Sequence, residues 1–164
     1  MNLKIYKLDD LILTAIKAES EAKNLYSKLC ERVENFLLKD RFNFLSSEES
    51  KHQRFFENLF RQDFPNKTIV LPTKSPVPLP QVSIDDVNKP MSKILDEAML
   101  SEKAAYDFYT GISKRFDKKP DIQKMLHYIA SMEMGHYRIL EIEKENAEKF
   151  EGFNIDNPLM HVGP

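Results

Sequence analysis

Four stretches of this chain repeat apolar residues at steps of three and four, and each stripe is broken near its middle by a glutamate. The first reads Ile12, Ala15, Glu19, Ala22, Tyr26, and the second Leu45, Glu49, His52, Phe56. The third reads Leu95, Ala98, Glu102, Ala105, Tyr109, and the fourth Ile129, Glu133, His136, Leu140. Such spacing belongs to helices that bury one face, not to the alternation of strands. One glutamate on a buried stripe could be a frayed end. Four, one per helix, form a pattern, because an unpaired carboxylate in a core is costly and would normally neutralise itself.

The four acids make sense if they face a shared cationic partner. Four carboxylates and two divalent ions sum to zero charge, while His52 and His136 ligate as neutral imidazoles. The E-x-x-H spacing of Glu49/His52 and Glu133/His136 sets both groups of each pair on one helix face, one turn apart. The competing account is an ion-pair network inside a bundle. Tyr26 and Tyr109 lie two turns beyond Glu19 and Glu102 on the same face, placed either to hydrogen-bond those carboxylates or to act as core aromatics. Glu21, Glu48 and Glu97 fall off the stripes and are expected at the surface, as are His127 and His161. Arg54 and Arg138 are expected to pair with surface acids. Cys30 borders a stripe and reads as a small buried residue.

The expected architecture is an all-α antiparallel four-helix bundle over residues 1–150. It comprises a hairpin over 9–61, a proline-rich crossover over 62–89 and a second hairpin over 90–150, followed by a surface tail over 151–164. Asp9 is the expected N-cap of the first helix. Glutamates at equal depth in an antiparallel hairpin place the first turn near Glu34, with Asn35 as a C-terminal cap. The same argument places the second turn between Phe116 and Lys118, ahead of Pro120 at the first position of a helix. The crossover holds Pro65, Pro72, Pro76, Pro78 and Pro80, so it is not helical. Extended at about 3.1 Å per residue, a dozen such residues would match the roughly 37 Å of a bundle helix. A disordered linker between two domains is the other reading, but each half alone is only one helical hairpin.

Composition excludes several functions. The four glycines are scattered and cannot form a phosphate-cradling loop. The formal charge of -2, with acids and bases interleaved, gives neither the basic field of a nucleic-acid binder nor the basic amphipathic stretch of a membrane binder. No stretch is apolar enough to span a bilayer, and the first residues lack the apolar run of a signal peptide, so a cytoplasmic address is expected.

The halves also repeat. Glu19, Ala22 and Tyr26 match Glu102, Ala105 and Tyr109 as E-x-x-A-x-x-x-Y; Glu49, His52, Arg54 and Glu57 match Glu133, His136, Arg138 and Glu141 as E-x-x-H-x-R-x-x-E. One glutamate and one E-x-x-H pair per half is the ligand set of ferritin-like two-metal bundles. On these motifs, over about residues 9 to 150, the chain resembles the ferritin-like superfamily, and within it the rubrerythrin-type di-iron domains. The resemblance implies two iron ions, with manganese or zinc as alternatives, held by Glu19, Glu49, His52, Glu102, Glu133 and His136. It further implies that Glu49 and Glu133 bridge, that Glu19 and Glu102 are terminal ligands, and that each histidine caps one metal. The implied function is a non-haem iron oxidoreductase that reacts with peroxide or oxygen. Iron binding or storage without turnover, or a structural metal site, are the alternatives. Rubrerythrins append a rubredoxin module with four cysteines, and Cys30 alone cannot build one. The expected electron donor is therefore external, such as a rubredoxin-like protein. Many rubrerythrins also carry an extra glutamate where this chain has Ala105, so one residue of their peroxidase site is missing here. A homodimer through exposed helix faces is expected.

Overall fold

Each apolar stripe forms one helix. The computed structural model describes residues 3–86 and 88–156, with side chains through residue 151. After a 3-10 turn at Leu3–Ile5 come α1 (Leu8–Arg32), α2 (Phe36–Asp63), α3 (Met91–Ser113) and α4 (Pro120–Asp156). No strand occurs among the described residues. The helices pair as two hairpins, α1 on α2 and α3 on α4, and each pairing is far more extensive than any contact between the hairpins.

Helix ends follow local chemistry, with differences from the sequence expectations. The N-cap of α1 is Lys7 rather than Asp9, which sits in the first turn and pairs with Lys67 at 2.5 Å. An acid there favours the positive end of the helix dipole. Asn35 caps the opposite end from the one expected: its side chain accepts from the Leu38 backbone N–H at 3.0 Å and so starts α2. The second turn falls where spacing put it, and Pro120 opens α4. Helix α4 then runs six residues into the segment read as a tail, and residues 157–164, His161 among them, lie outside the described residues. Glu151 shows one reason for the extra turn. Its carboxylate accepts from the Ser92 backbone N–H at 3.1 Å and the Ser92 hydroxyl at 2.6 Å, capping the N-terminus of α3.

The core divides into two clusters that fix the helix directions. One holds Leu11 and Ile12 from the start of α1, Phe56 and Phe60 from the end of α2, Phe108 and Ile112 from the end of α3, and Leu126 and Ile129 from the start of α4. The other gathers the opposite ends, with Tyr26, Leu29, Phe42, Leu45, Leu95 and Leu140. The order is therefore up-down-down-up. Such an order obliges the connection from α2 to α3 to travel the length of the bundle. The described residues of 64–90 do so without helix: Ile69, Val77 and Leu79 pack on the first cluster and Val82 and Ile84 on the second. The crossover is tied to α1 by the Lys17 ammonium, which donates to the carbonyls of Pro72 at 2.9 Å and Thr73 at 2.7 Å.

Candidate metal centre

Between the two apolar clusters lies a layer of charge. Glu19, Glu49, His52, Glu102, Glu133 and His136 are each no more than 3% exposed. Stripes of i, i+3 and i+4 spacing carry them into the interior at one depth, so the layer follows from the same periodicity that makes the core. Their ligating atoms converge in two groups: Glu19, Glu49, His52 and Glu133, and Glu49, Glu102, Glu133 and His136, with the atoms of each within 4.8 Å of one another. Glu49 and Glu133 belong to both groups.

The layer is nearly symmetric. His52 Nδ1 lies 3.0 Å from Glu133, 3.1 Å from Glu49 and 3.7 Å from Glu19. His136 Nδ1 lies 2.9 Å from Glu49, 3.3 Å from Glu133 and 3.6 Å from Glu102. The two imidazoles stack, with centroids 5.7 Å apart and planes at 23°. Phe44, half exposed, covers His136 edge-on at 6.4 Å.

These contacts are crowded yet poorly hydrogen-bonded. Glu19 Oε1, Glu49 Oε1, Glu133 Oε1 and His136 Nδ1 are buried without a hydrogen-bond partner among the described residues. Orphaned buried polar atoms are costly, whereas lone pairs aimed at a common point suit an ion. Donors about 2.1 Å from a metal in octahedral array stand about 3 Å apart, which is the separation observed between these donors. The donor set fits a pair of divalent cations.

Electrostatics tell the same story. Burial, then the charges of Glu133 and Glu49, push the Glu19 carboxyl well above the usual range; burial and Glu49 do likewise to Glu102. Burial also acts to raise Glu49, but the neighbouring His136 and His52 override it and hold that carboxyl low. Burial opposes charge on the imidazoles, yet the surrounding carboxylates raise His52 to about 12 and lift His136 as well. Without metal the surrounding carboxylates thus favour the charged form of both imidazoles.

The tyrosines bind the hairpins together. Tyr26 of α1 donates to Glu102 of α3, and Tyr109 of α3 stands beside Glu19 of α1. Burial first, then the nearby carboxylates, push both phenols upward, so they remain donors. Of the two roles open from spacing, the carboxylate bond holds for Tyr26, and core packing holds for both: Tyr26 stacks on Phe42 at 6.3 Å and Tyr109 meets Phe56 at 4.9 Å.

Other sequence assignments divide. Cys30 is buried, and His127 is exposed and bonded to the Ser113 hydroxyl at 3.1 Å. Glu21 is exposed, and Glu97 is partly exposed and paired with Lys89 at 2.6 Å. Glu48 is a correction. It is buried, with its carboxylate paired to Lys51 one turn on, because it lies three residues after Leu45 and four before His52, at the edge of the same helix face. Arg54 and Arg138 are exposed, and neither pairs with an acid among the described residues. None of the described helices is long and apolar enough to cross a membrane.

Comparison with known proteins agrees with the geometry. The profile of the rubrerythrin family matches residues 10–144. A solved structure from Pyrococcus furiosus, described only as a hypothetical protein, is 32% identical and superposes with a TM-score of 0.77, over 89% of this chain and 93% of that one. No curated protein matches. With a family profile spanning both hairpins and a carboxylate–histidine layer between them, this chain belongs to the rubrerythrin family.

Proposed function

We propose that this protein is a di-iron carboxylate oxidoreductase that reduces peroxide or oxygen with electrons from an external donor. The observation that carries the proposal is the pair of buried donor groups sharing Glu49 and Glu133. Glu19 and His52 would complete one iron site, Glu102 and His136 the other, with Glu49 and Glu133 bridging. Mixed carboxylate and imidazole donors suit iron, though manganese and zinc can occupy similar sets. Two bound iron ions would supply redox chemistry by cycling between ferrous and ferric states.

The chain's own residues set the conditions for that chemistry. The four glutamates neutralise two dications without further counter-ions. Tyr26 fixes the Glu102 carboxylate, Tyr109 stands beside that of Glu19, and the two apolar clusters exclude bulk water from above and below the layer. The 164 residues contain one cysteine and hold no four-cysteine iron centre, so a rubredoxin-like donor is proposed to deliver electrons from outside this chain.

The test is to purify the protein without added metal, measure metal per chain, reduce it anaerobically and add peroxide or oxygen. About two irons per chain and rapid oxidation are expected. Tightly held zinc with no redox response would favour a structural site and overturn the proposal.

A further inference from the structure

Beside the metal layer the α1 and α3 backbones approach each other at few points, as those of α2 and α4 do, and the crossover roofs the groove between α1 and α3. The space beneath is a cavity of about 770 Å³. Its floor is Glu19, Glu49, Glu102 and Glu133, so it opens onto the carboxylate side of the layer rather than the histidine side. Small residues help leave it open: Ala18 and Ala22 on α1 and Ala105 on α3 leave room that larger side chains would fill. A two-atom oxidant needs little more than the ~30 Å³ share of a water molecule. Pockets of roughly 300–1,000 Å³ instead hold organic ligands.

The lining specifies the chemistry. Ala18, Ala22 and Leu25 form an apolar wall on α1, and Val77, Leu79, Val82 and Ile84 form an apolar roof. At the end near Glu19 the Lys17 ammonium is already held by two crossover carbonyls and faces Glu21 at 3.7 Å. At the far end of the lining, Lys28 stands on the Lys17 side of α1, about 13 Å along the axis from Glu19 and half a turn round the helix from it. Lys28 is exposed and has no counter-charge among the described residues. Asp85 also lines the cavity, with its carboxylate accepting from the Ser83 hydroxyl at 3.4 Å.

We infer that this cavity binds an aliphatic carboxylate, with its chain under the crossover, its far end at the metal layer and its anionic head at Lys28. The inference rests on the two-metal reading only for what lies at the cavity floor; the cavity walls and Lys28 are independent of it.

Decanoate and decanol, titrated calorimetrically into the whole protein, test it. Both the metal-free form and the form loaded with redox-silent zinc are titrated, and metal content is measured on each sample. Saturable binding of one decanoate per chain is expected, with decanol at least tenfold weaker. Lys28→Glu should weaken decanoate at least tenfold and leave decanol unchanged, while Lys74→Glu, at another exposed lysine of the lining, should change neither. Ala105→Phe should abolish binding of both while metal content stays at the wild-type level. No saturable decanoate binding in either form would overturn the inference. So would equal affinity for acid and alcohol, or equal losses from the two lysine variants. A protein that takes up no metal yet binds decanoate would overturn the two-metal reading and leave the cavity assignment standing.

Discussion

Glu133 and Glu49 differ from the other four residues of the charged layer because each serves both donor groups. Glu133→Ala should therefore lower metal content from about two per chain to near zero, read by elemental analysis after gel filtration. Glu19→Ala should retain one metal, because the group of Glu49, Glu102, Glu133 and His136 survives it. Full occupancy in the Glu133 variant would mean the ligand assignment is wrong. Protons follow from the same contacts. The layer's carboxylates raise both histidines, and burial raises Glu19 and Glu102, so each of the four keeps its proton to higher pH in the metal-free protein than it would in water. Ligation needs the deprotonated forms, so metal uptake should release protons and weaken as pH falls. Acid released into a weakly buffered solution on metal addition checks this, and uptake without release would contradict it. The six ligand candidates were legible in the sequence because helical period marks a buried position, and a charged residue at such a position stands out. Glu48 obeys the same rule at the edge of that face, three residues after Leu45 and four before His52, and its expected exposure missed this spacing.

At the scale of elements, the helix ends and the crossover carry the testable contacts. Glu151 caps α3 from the far end of α4, so Glu151→Ala should cost about 1 kcal/mol. Thermal unfolding of the metal-free protein should then begin roughly 2–4 °C lower; no shift would show that the cap contributes nothing. Lys17→Ala removes both ties to the crossover carbonyls. Limited proteolysis should then cut residues 66–76 faster while the helical circular dichroism stays unchanged. Turn positions were readable from glutamates at equal depth, and Pro120 from its fixed backbone angle. The roles of Asn35 and Glu151 were not. Asparagine suits either end of a helix, and Glu151 acts through Ser92, a partner remote in sequence.

For the whole molecule, the organising fact is one layer of charge held between two apolar clusters by two repeated hairpins. The repeat made the pseudo-symmetry visible in the sequence, and prolines marked the crossover. The cavity was hidden, because it depends on the distance between α1 and α3, which local patterns do not set. Metal that binds only the folded bundle should stabilise it by mass action, by about 4 kcal/mol at a thousandfold excess over the dissociation constant. A melting temperature that rises with metal and falls with chelator checks this. The most direct test of the central claim is a crystal structure of the iron-loaded protein with anomalous diffraction at the iron edge. The account expects two anomalous peaks roughly 3.5–4 Å apart, both in contact with Glu49 and Glu133, one beside His52 and the other beside His136. A single peak, or peaks away from this layer, would contradict it.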